Sequence, residues 1–351
     1  MDERLKKLLR LTIERGASDL HLVPSRFSSI RINGELVSLS DEKILEPREV
    51  EIIILSLLDE DQKVKLLKYK DLDLSFSLDD KARFRANIYL QKNGWAGSFR
   101  AISSEIKSVE ELNLPPILHE FIKKKQGLIL IAGPAGCGKS TTLAALVDEI
   151  NHTQARHIIT IEEPVEYIFF PDQSIVTQRE VPNEAYSWHR ALKSALRQDP
   201  DVIMIGELRD PVSIAIALTA AETGHLVLGT LHTNSASQTI DRIIDALPDG
   251  QKNQARFQLA SSLIGVVSQR LVPRIAGGRI PACEILIANQ AVKNLIRENK
   301  VYQIDLVIET SLEQGMISIE RSLATMVSMN EISEENAYLF ALSQERLKGL
   351  L

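Results

Sequence analysis

The sequence predicts an α/β protein of two domains: a small α+β domain with an antiparallel sheet, followed by a larger domain built on a parallel sheet. The length of 351 residues is sufficient for two hydrophobic cores. Short strands separated by turn pairs fill the first hundred residues, whereas apolar strands alternate with helices in the rest of the chain. This change of pattern indicates a domain boundary near residue 102.

The composition is that of an ordinary soluble globular protein, with 44% hydrophobic and 25% charged residues. The net charge of −6 gives no reason to expect nucleic acid as a direct partner. The two cysteines, Cys137 and Cys283, are far apart, so the sequence offers neither a disulfide framework nor a paired-cysteine metal motif. Because there is no signal peptide and no apolar run of 18 residues, we expect a cytoplasmic protein that does not span a membrane.

In the first domain, residues 1–102, leucines on one face predict a helix over 3–15 that ends at Gly16. Residues 47–70 predict one or two further helices. The turn pairs Asn33-Gly34, Asp79-Asp80 and Asn93-Gly94 predict hairpins and therefore an antiparallel sheet. The strands are expected at 19–23, 30–32, 35–37, 72–76, 82–91 and 95–102.

Residues 103–116 predict a linker, because this stretch holds serines, charges and the pair Pro115-Pro116, which disfavours helix. The second domain is then 117–351. A helical C-terminal tail is expected from about Asn289 to the end. The strands of the parallel sheet are expected at 128–132, 157–161, 202–205, 226–230 and 280–287.

A glycine-rich loop between strand 128–132 and a helix matches the pattern G-x-x-x-x-G-K-[ST] of phosphate-binding loops. Its glycines allow backbone N–H groups to point inward, and the helix N-terminus adds a positive dipole end. We expect Lys139 to reach the β- and γ-phosphates and Ser140 to bind Mg²⁺, so the loop predicts a nucleoside triphosphate site. The loop residues are Gly133, Pro134, Ala135, Gly136, Cys137, Gly138, Lys139, Ser140 and Thr141.

A thiol at a helix N-terminus tends to have a lowered pKa. We therefore expect alkylation of Cys137 to block the phosphate site, with ATP protecting it. The alternative is a buried, inert cysteine.

Carboxylates follow two of the predicted strands at the edge where ligands of open α/β sheets bind. Glu207 comes just after strand 202–205, and a glutamate there is long enough to orient and deprotonate the attacking water. Glu162 and Glu163 end strand 157–161 and fit a role in holding Mg²⁺ and water, although a charged loop has the same composition. The spacing predicts that this strand lies beside the phosphate-loop strand.

His232 follows strand 226–230 at the same edge, which predicts a sensor of the γ-phosphate; a packed or surface histidine is the alternative. Phosphoryl transfer also gains from a positioned arginine. Any one of the candidate arginines is equally consistent with an ordinary surface residue. The candidates are Arg83, Arg85, Arg100, Arg197 and Arg209.

Together these stretches resemble the secretion ATPase superfamily, and most closely the PilT-type retraction motors of type IV pili. The resemblance covers nearly the whole chain. The helix at 291–298 is similar to one typical of retraction motors, and the chain lacks the tetracysteine motif usual in the extension and secretion motors. The stretches that carry the resemblance are 17–21, 133–141, 161–166, 197–201, 206–210, 220–225 and 231–233.

The resemblance implies a PAS-like N-terminal domain, a RecA-like ATPase domain and a homo-hexameric ring. In such rings the nucleotide lies between the two domains, and Arg85 and Arg100 match the first-domain arginines that reach the phosphates. Arg197 and Arg209 match arginines beside the Walker B strand. Glu163 departs from the family pattern, in which aspartate is usual at this position.

The implied function is an ATP-hydrolysing, Mg²⁺-dependent motor that powers pilus retraction and twitching motility. It would act at the inner face of the cytoplasmic membrane on an inner-membrane platform protein, with peripheral membrane association through partners. Three alternatives remain. One is an accessory retraction subunit of low turnover, and another is an ATPase of type II secretion or pilus assembly. A nucleic-acid translocase is the third, and the acidic balance disfavours it.

Overall fold

The computed structural model describes residues 1–32, 34–79, 82–102, 106–181 and 184–351. The chain divides into two compact units, Met1–Glu105 and Ile106–Leu351. Each unit has its own sheet and its own hydrophobic core.

The N-terminal unit is an antiparallel sheet of six strands in the order β3-β2-β1-β6-β5-β4, as the turn pairs predict. Alternate residues of its strands, among them Leu20, Phe84 and Phe99, form the apolar face. The strands are β1 (Asp19–Leu22), β2 (Ser29–Ile32), β3 (Glu35–Ser38), β4 (Asp71–Asp79), β5 (Ala82–Gln91) and β6 (Gly94–Ile102). The helices are α1 (Glu3–Glu14), α2 (Pro47–Leu55) and α3 (Glu60–Tyr69).

The structure describes only one of the three predicted turn pairs completely, Asn93-Gly94. Gln91 pairs with Gly94, so the loop between β5 and β6 consists of Lys92 and Asn93, one residue earlier than the predicted pair. The predicted turns at Asn33-Gly34 and Asp79-Asp80 include residues outside the described part of the chain.

The later part of the predicted linker, from Ile106 onward, belongs to the second unit. Val109 and Leu114 are buried there in one core cluster with Phe121. Residues 103–105 lie outside the described part of the chain.

The second unit contains a seven-stranded sheet in the order β13-β12-β7-β11-β10-β8-β9. All neighbours pair in parallel except β12 and β13, which form an antiparallel hairpin. The strands are β7 (Gly127–Ala132), β8 (His157–Glu162), β9 (Ile175–Glu180), β10 (Val202–Ile205), β11 (Leu226–Leu231), β12 (Leu263–Pro273) and β13 (Arg279–Ile287). Every residue of β7 and of β11 is buried, as expected for parallel strands covered on both faces.

Helices cover the sheet and account for most of the chain after Asn289. The helices of this unit are α4 (Ile117–Ile122), α5 (Lys139–Thr153), α6 (Trp188–Ala195), α7 (Pro211–Glu222), α8 (Ala236–Asp245), α9 (Asp249–Ser262), α10 (Gln290–Arg297), α11 (Ile304–Thr310), α12 (Ile319–Ser328), α13 (Glu334–Phe340) and α14 (Gln344–Lys348). Within the described residues, none of the helices has the length and apolar character needed to cross a membrane.

Three expectations about this sheet are wrong or incomplete. The strand β8 does not lie beside β7, because β11 and β10 occupy the two positions between them. The last predicted strand, β13, runs antiparallel to its neighbour. The sequence reading also missed β9 and β12, and in β12 the polar run Ser268-Gln269-Arg270 interrupts the apolar pattern.

Candidate nucleotide site

The phosphate-binding loop leads from the end of β7 into α5. Gly133, Gly136 and Gly138 have φ values of +143°, +74° and +92°, in the region that favours glycine. A Cβ on Gly133 would lie 2.4 Å from the carbonyl oxygen of Gln269 and 2.5 Å from Sγ of Cys137. Because these contacts are far shorter than real Cβ contacts, the loop requires glycine at this position.

Lys139 is the first residue of α5 and is only 8% exposed. Its Nζ donates to the carbonyl oxygens of Gly133 and Pro134, both at 2.9 Å, and lies 3.4 Å from Nδ1 of His232. Burial lowers the pKa of Lys139 below its ordinary 10.5. The ammonium group is therefore held within the loop, where phosphate oxygens would compete for it.

Glu207 and His232 meet at the C-terminal edge of the parallel sheet, just after β10 and β11. Nε2 of His232 lies 3.5 Å from Oε1 of Glu207. Nε of Arg209 donates to Oε2 of Glu207 at 2.8 Å, and this hydrogen bond raises the pKa of Arg209. Together with Lys139, these side chains form a continuous polar chain across the ends of β7, β11 and β10.

Glu163 belongs to the same group of side chains. Its Oε2 accepts hydrogen bonds from Nε1 of Trp188 at 2.7 Å and from Nη1 of Arg209 at 3.0 Å. Arg209 therefore connects Glu163 to Glu207. The sequence reading assigned no role to Trp188.

The oxygen donors at this edge fit Mg²⁺. This ion binds proteins through one or two oxygens and keeps most of its waters and the substrate phosphates as ligands. The Ser140 hydroxyl and the Glu163 carboxylate both line the cavity beside the loop, so they would hold the ion directly or through water.

Glu162 has a different environment from Glu163. It is buried, and its carboxylate accepts hydrogen bonds from the Thr160 hydroxyl at 2.7 Å and from Nε2 of Gln178 at 3.2 Å. Burial raises its pKa to about 6. These contacts hold Glu162 against β8 and β9, which favours a structural role, although the side chain also lines the cavity.

A cavity of about 430 Å³ joins these groups. A second cavity of about 530 Å³ shares Ala135 and Gly136 as lining residues with the first. The first cavity is lined by Ala135, Gly136, Gly138, Lys139, Ser140, Thr141, Leu143, Glu162, Glu163, Pro164, Glu166, Trp188, Met204, Gly206, Glu207, Arg209, Thr230, His232, Leu271 and Arg279.

Four of the candidate arginines, Arg83, Arg85, Arg100 and Arg197, are not among the residues that line this cavity. Arg197 is exposed and precedes β10, so it lies at the opposite end of that strand from Glu207. Arg85 and Arg100 belong to the N-terminal unit, where they pair across β5 and β6, and Nε of Arg100 donates to Asp19 at 2.9 Å. Their roles at a phosphate stay predictions.

The expectation of a reactive Cys137 is wrong. The side chain is 3% exposed, and burial raises the pKa of its thiol above the ordinary value of 9.0. The helix N-terminus does not compensate for this loss of solvent, so the structure favours the buried, inert alternative.

Gln269 is a second residue that the sequence reading missed. It lies on β12, opposite the start of the phosphate-binding loop, and its side chain contacts both that loop and α5. The next residue, Arg270, donates from Nη1 to the carbonyl oxygen of Phe340 at 2.6 Å. A polar pair inside a strand of apolar residues is the signal that could have marked both.

A family model described as "Type II/IV secretion system protein" matches residues 2–345. The chain belongs to this family. The match spans both units and confirms the resemblance inferred from the motifs.

Among members of this family, the chain is 42% identical to the type IV pilus retraction ATPase PilT of Pseudomonas aeruginosa, over 95% of this chain and 96% of that protein. It is 44% identical to the twitching motility protein of Neisseria gonorrhoeae, over 91% of this chain and 85% of the relative. A crystal structure of the pilus retraction motor PilT with bound ADP matches with a TM-score of 0.92 and 42% identity, covering 98% and 99% of the two chains. The fold is therefore that of PilT-type ATPases.

Proposed function

We propose that this chain is an ATP-hydrolysing motor that powers the retraction of type IV pili and so supports twitching motility. The observation that carries the proposal is the convergence of Lys139, His232 and Glu207 beside a glycine-rich phosphate loop. Similarity to retraction motors over almost the full chain supports the choice of pilus retraction as the process.

Glu207 is the proposed general base. Its carboxylate lies at the edge of the cavity, where it accepts a proton from the water that attacks the γ-phosphate. His232 lies between Glu207 and Lys139 and is placed to sense whether the γ-phosphate is present.

Positive charge and loop N–H groups stabilise the transferred phosphoryl group. When the nucleotide binds, Lys139 exchanges its hydrogen bonds to the carbonyl oxygens of Gly133 and Pro134 for bonds to phosphate oxygens. Arg209 fixes the positions of Glu207 and Glu163 relative to each other. Mg²⁺, when bound by Ser140 and Glu163, neutralises charge on the phosphates.

The finer features follow from the family resemblance. We propose a PAS-like fold for residues 1–102 and a RecA-like ATPase domain with a helical C-terminal region at 117–351, joined by residues 103–116, of which Val109 and Leu114 already pack in the core of the second unit. The chain would form a homo-hexamer in which Arg85 and Arg100 reach the phosphates of the bound nucleotide, while Arg197 corresponds to an arginine beside the Walker B strand. The ring would act on an inner-membrane platform protein at the cytoplasmic face of the membrane.

The test is the substitution Glu207→Gln, which keeps the shape of the side chain but removes the base. We expect ATP to bind with unchanged affinity while hydrolysis falls by at least ~10²-fold, the usual effect of losing a general base. The matched control is Glu335→Gln, an exposed glutamate on α13. Hydrolysis at the normal rate in Glu207→Gln would remove this residue from the mechanism.

A low-turnover accessory subunit remains the second candidate. The rate of ATP turnover distinguishes the retraction motor from the accessory subunit. Trace ATPase activity in the assembled wild-type protein, with normal ATP binding, would favour the accessory role.

A further inference from the structure

Gln269 lies on β12 and is 1% exposed. Its Nε2 donates to the carbonyl oxygen of Cys137 at 2.7 Å, and its Oε1 accepts from the Thr142 hydroxyl at 2.9 Å. One buried amide thus connects the phosphate-binding loop to the first turn of α5.

The orientation of this amide follows from its partners. The carbonyl oxygen of Cys137 is an acceptor only, so the NH₂ end of Gln269 must face it. Thr142 has a hydroxyl hydrogen to donate, and it satisfies the other end of the amide. If the amide flipped, two acceptors would face each other in a buried site.

The consequence for the loop comes from the planarity of the peptide bond. In a trans peptide the carbonyl oxygen and the following N–H point in opposite directions. Since Gln269 holds the carbonyl oxygen of Cys137 on the β12 side, the N–H of Gly138 points away from β12. This N–H has no hydrogen-bond partner among the described residues, and Gly138 lines the cavity that contains Lys139 and Glu207.

We infer that Gln269 is a positioning residue that fixes the Cys137–Gly138 peptide plane, so that the N–H of Gly138 faces the phosphates of the bound nucleotide. The inference rests on the proposed function, because it assigns Gln269 to the nucleotide site of that motor. Gln269 does not touch the nucleotide; it acts through the loop backbone.

The first test is nucleotide affinity in the full-length protein, measured with ADP by calorimetry. Gln269→Met keeps the bulk of the side chain but removes the donor. We expect ADP to bind roughly 10- to 100-fold more weakly, because the Gly138 N–H would lose its hydrogen bond to a charged phosphate. The matched control is Gln173→Met, which alters an exposed glutamine whose Nε2 donates to the carbonyl oxygen of His152 at 2.6 Å, near the far end of α5.

The second test distinguishes positioning of the loop from general structural support. In Gln269→Glu the introduced carboxyl donates to the Cys137 carbonyl only when it is protonated. The affinity of this variant for ADP, relative to wild type at each pH, should fall by at least about tenfold between pH 6 and pH 8.5. A merely structural defect would give the same ratio of variant to wild-type ADP affinity at both pH values.

A pair of variants at Thr142 tests the inference even if substitution of Gln269 prevents folding. Thr142→Val removes the donor that orients the amide, and we expect ADP affinity to fall about 3- to 10-fold, whereas Thr142→Ser keeps the donor and restores it. Folded Gln269 variants that bind ADP as tightly as wild type would overturn the inference, as would equal affinities for the two Thr142 variants. If the wild-type protein itself fails to bind ADP, the proposed function is wrong instead.

Discussion

Glu284 is a buried carboxyl group whose ionisation should control the stability of the second unit. It lies on β13, is 6% exposed, and accepts the backbone N–H of Ala236 at 2.7 Å. Burial raises its pKa to about 7, with smaller contributions in the same direction from Asp305 and Glu320; the hydrogen bond from the Ala236 N–H and the charge of Arg270 act in the opposite direction. Glu284, Asp305 and Glu320, together with Arg346, line a cavity of about 260 Å³ between α8 and the C-terminal helices.

The sign of the effect follows from proton linkage. In the unfolded chain a glutamate titrates near 4.5, so between pH 4.5 and about 7 the folded state holds a proton that the unfolded state releases. Stability from this group is complete below the unfolded pKa and is lost as pH rises through the folded pKa. The gap between the two pKa values corresponds to about 3 kcal/mol, of which roughly 2 kcal/mol is lost between pH 5.5 and pH 8.5.

The substitution Glu284→Gln removes the charge and keeps an oxygen that can accept the Ala236 N–H. We therefore expect the variant to gain roughly 2 kcal/mol over wild type between pH 5.5 and pH 8.5, or about 4–8 °C in the melting temperature of a unit of this size. Thermal and urea unfolding at the two pH values measure this difference. The control is Glu313→Gln, which alters an exposed glutamate. A gain that is the same at both pH values would refute the argument.

Two further predictions concern packing. Cys137 and Cys283 are both buried, and burial raises the pKa of each thiol, to about 12 for Cys283, so iodoacetamide should label the native protein at least about tenfold more slowly than the urea-unfolded protein. Rapid native labelling of Cys137, located by mass spectrometry, would contradict its burial. A Cβ at Gly265 would lie 2.5 Å from the ring of Phe121, so Gly265→Ala should destabilise the protein by about 1–3 kcal/mol in urea unfolding. Gly250→Ala, whose Cβ would meet nothing within 4 Å, is the control, and equal stabilities of the two variants would refute the packing argument.

The sequence predicted those features of the site that depend on short stretches of chain. The phosphate-binding loop is continuous, and Glu207 and His232 each follow an apolar strand directly, so their common edge follows from the parallel sheet alone. The order of the strands in the sheet could not be predicted from the sequence. The connection through α5 passes over two positions that β10 and β11 occupy later in the chain, and no local pattern records this.

Tertiary contacts explain the other differences. The pKa of Cys137 depends on burial by distant residues, and this effect exceeds that of the local helix N-terminus. Gln269 is 132 residues from Cys137 in the chain, so their hydrogen bond has no sequence signature beyond a polar residue in an apolar strand. Trp188 contacts Glu163 only because α6 packs near the end of β8.

The strand β12 carries two consecutive side chains with separate attachments: Gln269 to the phosphate-binding loop, and Arg270 to the carbonyl oxygen of Phe340 at the end of α13. Successive residues of a strand project to opposite faces, so the two attachments share one rigid segment of backbone. A sliding or twisting of β12 by a fraction of an ångström would thus strain both attachments at once. The phosphate-binding loop and the last helices of the chain are therefore both attached to one strand, through two neighbouring residues.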